Sequence, residues 1–101
     1  MDPDLPDFII SDVVVSIAGR DQGKLFYVIG TDPVYLMLAN GKDRTLDKPK
    51  RKKRKHVQKV LRAETRVAAK LASGDKVLNS ELRKDLAYFS RGMQSNDLGG
   101  F

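Results

Sequence analysis

The sequence predicts a small, mainly β domain with an α-helical tail, in which an antiparallel barrel or sandwich precedes two short helices. Short runs of β-branched and apolar residues recur roughly every ten residues up to residue 60, as in small all-β domains. Glycine, proline and asparagine lie between the runs, and the gaps are too short for the helical crossovers of a parallel sheet. After residue 60 the apolar residues follow a helical period instead.

The β part divides into four or five predicted strands separated by turns. Three runs favour extended backbone, namely VVVSI at 13–17, LFYVI at 25–29 and VYLMLA at 34–39. Asn40-Gly41 predicts a tight hairpin into a fourth strand around 43–46, and HVQKV at 56–60 could form a fifth. A closed barrel would leave no exposed strand edges.

The chain continues on both sides of this β part. Residues 1–11 are expected to form a flexible acidic leader, because Pro3 and Pro6 lie among aspartates. Residues 61–101 are expected to form the two-helix extension, and Gly74 suits the end of the first helix. The second helix is predicted to start at Asn79 or Ser80 and to carry an apolar face made of Leu82, Leu86 and Phe89.

Positive charge is concentrated in one segment of the chain. The net charge of the 101 residues is +6. Residues 42–59 hold ten Lys or Arg and two Asp, which is +8, so the rest of the chain sums to −2. Seven of the eight positions 48–55 are Lys or Arg. Such a localised charge indicates a binding site and not a general property of the surface.

Nucleic acid is the partner that this basic run predicts. Close like charges repel one another, so we expect a Lys/Arg-rich loop over 47–56 and no helix or strand there. Lys and Arg match the regular charge of a polynucleotide, and binding releases counterions. Three other interpretations stay open: a solvated loop without a partner, a nuclear import signal, and contact with an anionic membrane. The membrane interpretation lacks an accompanying apolar face.

The turn GRDQGK at 19–24 is a second candidate site. Its glycines allow positive φ and the close approach of another backbone, and Arg20 and Lys24 would point towards a partner. An ordinary hairpin turn is the alternative. The turn is not a Walker loop, because Gly19 and Gly23 are one residue too close together and Leu25 replaces the hydroxyl residue.

Aromatic residues offer a further way to hold a nucleic acid. Neighbouring side chains on a strand face opposite ways, so we expect Phe26 in the core and Tyr27 outside. An outward Tyr27 or Tyr35 could stack on an unpaired base, although such tyrosines are more often half-buried surface residues.

Catalysis and metal binding have little support. The chain has no Cys, and His56 is the only histidine, so no catalytic triad or Cys/His metal site can be built. We expect a non-catalytic protein without a cofactor, in which His56 contacts a phosphate or the backbone, or closes the barrel. No stretch approaches the roughly 18 apolar residues of a membrane-spanning helix, and we expect a soluble cytoplasmic monomer.

The stretch VVVSIAGRDQGKLFYVIG at 13–30 resembles a KOW motif. In that motif an apolar strand leads through a turn to an invariant glycine and a second apolar strand, and Gly23 takes the place of that glycine. Phe26 stands where the motif often has another glycine. The short KOW-domain RNA-binding proteins of Gram-positive bacteria share this departure. The turn and the Lys-rich segment ending in Lys55-His56 are similar to that subgroup, which resembles a large-subunit ribosomal protein of archaea and eukaryotes.

The resemblance covers about residues 11–60 and implies that residues 12–60 form an SH3-like barrel that binds RNA. The expected RNA is rRNA of the large ribosomal subunit, and the tail would pack on the barrel or contact a neighbouring ribosomal protein. A bacterial protein has no use for a nuclear import signal. The expected RNA contacts, with Lys42 and Arg44 of the NGKDR segment added, are Gly19, Arg20, Asp21, Gln22, Gly23, Lys24, Lys42, Arg44, Lys48, Lys50, Arg51, Lys52, Lys53, Arg54, Lys55 and His56.

KOW motifs also occur in transcription elongation factors, which leads to a second hypothesis. In a protein-interaction module of that type, the barrel and helices would bind polymerase or a ribosomal protein. The basic run would then only steer association.

Overall fold

The computed structural model describes residues 8–99, with the side chains of residues 8–92. Residues 1–7 of the predicted leader and residues 100–101 of the tail lie outside the described residues. A 3₁₀ turn at Arg54–His56 links the fourth and fifth strands. The strands and helices in chain order are β1 (Asp12–Ser16), β2 (Leu25–Thr31), β3 (Tyr35–Ala39), β4 (Lys50–Lys53), β5 (Val57–Arg62), α1 (Arg66–Ser73) and α2 (Asn79–Gly99).

The strands form one five-stranded sheet in the order β4-β3-β2-β1-β5, and all neighbours are antiparallel. The mainly β fold followed by two helices is therefore confirmed. Within residues 8–99 no ladder joins β4 to β5, so the sheet is not closed and the predicted barrel is not confirmed. No helix in this part of the chain has both the length and the apolar character needed to cross a membrane.

The two edge strands of the sheet are neighbours in sequence. Only Arg54–His56 lies between β4 and β5. Across a flat sheet these edges would be roughly 19 Å apart, at about 4.8 Å per strand spacing. The link can span at most about 14 Å even when fully extended, so the sheet must curl. An inner apolar cluster fills the curl and consists of Phe8, Val14, Phe26, Val28, Leu36, Leu38 and Val57.

The helices cover part of the other face of the sheet. Their cluster with the strands contains Val13, Tyr27, Ala39, Ala63, Val67, Ala68, Leu82 and Leu86. The predicted outward position of Tyr27 is wrong: both Phe26 and Tyr27 are buried, because the sheet is covered on both faces here. The Tyr27 hydroxyl donates to Asp85 Oδ2 at 2.7 Å and lies 3.3 Å from Thr65 Oγ1. Burial, together with the Asp85 carboxylate, raises the pKa of Tyr27 well above its usual range.

The ends of α1 follow the sequence pattern. Thr65 Oγ1 accepts a hydrogen bond from the Ala68 N–H at the start of the helix. Gly74 ends it in the left-handed region, with φ 80°, as predicted. Leu61, the first residue of the predicted two-helix extension, belongs to β5 instead.

The predicted fourth strand around 43–46 is wrong. The Asn40 side-chain oxygen accepts hydrogen bonds from the amides of Lys42 and Arg44, both at 3.0 Å. The Leu46 amide donates to Asn79 Oδ1 at 2.8 Å. The side-chain oxygens of Asn40 and Asn79 thus accept hydrogen bonds from amides that a strand would donate to its neighbour, and the segment folds as turns.

The predicted flexible leader, residues 1–11, is wrong for its last four residues. Phe8 is buried in the inner cluster, and the Ser11 amide donates to the Val28 carbonyl at 2.8 Å. Ile9 and Ile10, beside Phe8, are exposed. Residues 8–11 therefore pack against the sheet, because one large aromatic side chain finds a place inside the curl.

We predict that Gly41→Ala destabilises the protein more than Gly74→Ala does. Both glycines have positive φ, which costs alanine about 1–2 kcal/mol. A Cβ at Gly41 would also overlap the Asn79 carbonyl oxygen, whereas Gly74 faces open space. Overpacking adds about 1–3 kcal/mol at Gly41 alone. Urea unfolding followed by circular dichroism measures both variants, and equal losses would contradict a tight contact between this turn and α2.

Candidate nucleic-acid interface

The basic run folds as an edge strand and a 3₁₀ turn, and the predicted open loop over 47–56 is corrected accordingly. Lys50–Lys53 pairs with β3 as β4, and Arg54–His56 forms the turn. Alternation along a strand sends Lys50 and Lys52 to one face and Arg51 and Lys53 to the other, which separates the like charges. Several of the cations also interact with carboxylates, carbonyls or aromatic rings. Repulsion between the Lys and Arg side chains therefore does not prevent the strand from forming.

Asp21 binds the two lysines on the inner face of β4. Lys52 Nζ lies 2.7 Å from Asp21 Oδ1 and donates to the Ala18 carbonyl at 2.7 Å. Lys50 Nζ lies 2.9 Å from Asp21 Oδ2. The Ser16 hydroxyl donates to Asp21 Oδ1 at 2.7 Å. The side chains of Lys52 and Asp21 are only 7% and 11% exposed, so this ion pair lies in the interior.

The environment of Asp21 stabilises its charged form. Burial alone would raise the pKa of the carboxyl. Hydrogen bonds from Lys52, Ser16 and Lys50 outweigh burial and hold the pKa far below its usual range. Asp21 and Lys52, both predicted RNA contacts, are thus engaged in joining the turn GRDQGK to β4.

The outer face of β4 carries cations that no described carboxylate pairs with. The Arg51 guanidinium lies over the Tyr35 ring, 3.9 Å from its centroid. Beyond β4, Arg54 donates from Nε to the Asp32 carbonyl at 2.8 Å and lies 5.7 Å from the Phe8 ring centroid. Lys53 on this face is exposed. These contacts orient the two arginines without cancelling their charge.

A cleft of about 250 Å³ brings together three segments that are distant in the sequence. Its lining comes from the turn GRDQGK, the NGKDR segment and β4, with Phe26 of β2 beside them, and comprises Arg20, Asp21, Lys24, Phe26, Asp43, Arg44 and Lys50. Asp43 and Phe26 were not among the predicted site residues. Asp43 lies between two predicted cations, and its carboxylate pairs with Lys24 at 3.0 Å, so charge alternation in NGKDR was the available signal.

Seven of the predicted RNA-contact residues present unpaired charge. They are exposed, and none forms an ion pair with a carboxylate in residues 8–92. These seven are Arg20, Lys42, Arg44, Lys48, Arg51, Lys53 and Lys55. They lie on β4, on the connection before and after it, and on the turn that Asp21 attaches to it.

The remaining predicted site residues shape the backbone. Gly19 and Gly23 have φ of 86° and 88°, which the turn between β1 and β2 requires. Gln22 is exposed at the same turn. The His56 carbonyl accepts a hydrogen bond from the Ile17 amide at 2.9 Å, which ties the link between the edge strands to the end of β1.

Comparison with models of protein families and with curated proteins gives no match for this chain. The resemblance to KOW domains therefore rests on the motif residues alone.

We predict that Asp21→Asn lowers the free energy of unfolding by about 3 kcal/mol at neutral pH, because two lysines lose their buried counterion. The folded pKa of Asp21 lies below its unfolded value of about 3.9, so its stabilisation is present above that pH and is lost on acidification. The gap between wild type and Asp21→Asn should consequently narrow as the pH falls from about 5 towards 2. Urea titrations across this range measure the gap.

Asp43→Asn is the matched control for this substitution. Asp43 also pairs with a lysine, but both side chains are about half exposed, at 41% and 49%, so little stability should be lost. A gap between wild type and Asp21→Asn that stays constant with pH would contradict stabilisation by the Asp21 carboxylate.

Proposed function

We propose that this chain is a non-catalytic RNA-binding protein that is part of the ribosome or associates with it. The observation that carries the proposal is the set of seven exposed, unpaired cations on β4 and its attached turns. Four other cations in or near the same segments, Lys24, Lys50, Lys52 and Lys59, already face carboxylates. The cations that pair with carboxylates within the chain are thus distinct from the exposed cations that we propose contact RNA.

Phosphate oxygens are the ligands that this surface suits best. Exposed Lys and Arg bind phosphates by charge and release counterions, which supplies affinity and orientation but reads little sequence. We therefore propose recognition of RNA shape. The resemblance to KOW-domain proteins is the reason to propose RNA, and rRNA of the large subunit in particular.

The curl of the sheet supports the finer proposal of an SH3-like barrel. Such a barrel brings the edges of a short sheet near each other, and the three-residue link from β4 to β5 demands the same approach. The inner apolar cluster takes side chains from all strands except β4, and Lys52 of β4 lies buried beneath the turn GRDQGK.

Protein binding is the second candidate function, and the helical tail is the feature that favours it. Tyr88 on α2 is 65% exposed, and Leu78 just before α2 is 53% exposed. Apolar surface on a tail of this kind suits a neighbouring protein. In the first proposal that neighbour is a ribosomal protein; in the second it is the main partner, and the cations only steer association.

Salt dependence tests the RNA contacts directly. With four to six phosphates contacted, log K for an rRNA fragment against log salt should have a slope of roughly −3 to −5. Lys53→Gln/Lys55→Gln should reduce the slope by roughly 1.4–1.8, because each lost phosphate contact removes about 0.7–0.9. Fluorescence anisotropy at several salt concentrations gives the slopes.

The matched control is Lys76→Gln/Lys84→Gln, which removes the same charge from exposed positions on α2 and on the connection that precedes it. This control should keep the wild-type slope. An equal reduction in both double variants would mean that only net charge matters, and would contradict a defined RNA contact on β4.

Association with the ribosome is tested by sedimentation of cell lysate through sucrose gradients. We expect the protein to travel with the large subunit at low salt and to be released by high salt or by RNase, because its contacts are to phosphates. A position at the top of the gradient at low salt would contradict ribosome association. Retention after both treatments would favour the protein-interaction function.

A further inference from the structure

We propose that Arg51 and Tyr35 form a stacking site for one unpaired RNA base. The inference rests on the proposed RNA-binding function and deepens it, since it names the kind of RNA that the surface selects. Phosphate contacts alone would accept any strand of suitable shape. A planar site would instead favour RNA with a base outside a duplex, as in a bulge, a loop or an end.

The strand register places the two side chains on the same face. Tyr35 lies opposite Lys53 in the β3–β4 pair, and Arg51 is two residues from Lys53 along β4. Diagonal neighbours of this kind are within reach of long side chains. The guanidinium lies 3.9 Å from the centroid of the Tyr35 ring, which is a stacking distance.

The helices do not cover the sheet face at the Tyr35 end of β3. Ala39 lies on the same face of β3 and is buried in the cluster with α1 and α2. Tyr35, four residues earlier, is only half-buried, and Arg51 above it is exposed. Within residues 8–99, no strand pairs with β4 on the side away from β3.

A base is the ligand that fits the free side of Arg51. The guanidinium carbon lies over the Tyr35 ring, and the side of the planar group away from that ring can stack on a base while the charge remains available. The amides of Tyr35 and Val34 donate to Asp32 Oδ1 at 2.6 and 2.9 Å and lower the pKa of Asp32, and the nearby charge of Arg51 contributes less. Arg51 forms no ion pair with any described carboxylate.

The surroundings of the pair supply the other contacts that a nucleotide needs. Lys53 lies on the same face, roughly 7 Å from Arg51 along the strand, where it can take a phosphate of the same strand. Met37 lies opposite Arg51 and gives the site an apolar flank. Gly30 faces Met37 across the β2–β3 pair, and a Cβ there would lie 3.3 Å from Met37 Cγ, so glycine leaves that flank room.

Two RNA hairpins with the same stem test the inference. One carries a single bulged 2-aminopurine, and in the other the 2-aminopurine is paired. We expect the wild-type protein to bind the bulged hairpin about tenfold more tightly and to quench its fluorescence, since stacking contributes about 1–3 kcal/mol per base. Anisotropy gives the two affinities, and the 2-aminopurine emission reports on stacking.

Arg51→Lys keeps the positive charge and removes the planar guanidinium group. It should lose most of the preference and the quenching, while its affinity for the paired hairpin and its salt slope stay within about twofold of wild type. Arg91→Lys makes the same change at an exposed position of α2 and should keep the preference. Tyr35→Phe retains the ring and should behave as wild type, whereas Tyr35→Leu should lose the preference.

The outcomes separate this inference from the proposed function. Equally tight binding of both hairpins by the wild-type protein would overturn the stacking site and leave RNA binding intact. An equal loss of affinity for both hairpins in Arg51→Lys would have the same meaning. Failure of the wild-type protein to bind either hairpin at low salt would overturn both. Loss of preference in Arg91→Lys as well would also overturn the assignment to Arg51.

Discussion

The ion pairs that Asp21 makes with Lys50 and Lys52 connect the two halves of the candidate interface. With the hydrogen bond from Lys52 to the Ala18 carbonyl, they hold the turn GRDQGK against β4. A buried carboxylate between two ammonium groups is favourable only with good geometry: here Ser16 and Lys52 donate hydrogen bonds to Oδ1, and Lys50 pairs with Oδ2. One acidic residue in a basic surface therefore sets the relative positions of cations from two distant segments.

The short link between the edge strands has a similar effect on the core. It forces the sheet to curl, which creates one apolar interior for Phe26 and leaves the opposite face to the helices and Tyr27. The hydroxyl of Tyr27 then meets Thr65 and Asp85, so the helical tail is joined to the sheet by hydrogen bonds as well as by packing. The cleft and the exposed outer face of β4 both follow from this arrangement.

Local signals in the sequence predicted much of this fold. β-Branched runs located three strands, and Gly74 marked the end of α1 because its left-handed conformation suits glycine. The fourth strand failed because its position depends on distant partners: Asn79 takes the Leu46 amide, and Asp21 makes a strand of lysines stable. For the site, the sequence pointed to the cations as a group, but only tertiary pairing shows that Lys52 is internal and that Lys53 pairs with no described carboxylate.

The outer edge of β4 has a consequence that does not depend on RNA. An edge strand exposes unpaired amides and carbonyls, and these can add to the edge of another molecule. Two copies of β4 approaching each other would bring a row of lysines and arginines face to face, and their repulsion opposes such pairing. The same positive charges that suit a polyanion thus oppose intermolecular sheet growth at β4. A polyanion that neutralised these charges would have to cover the outer edge of β4 as well.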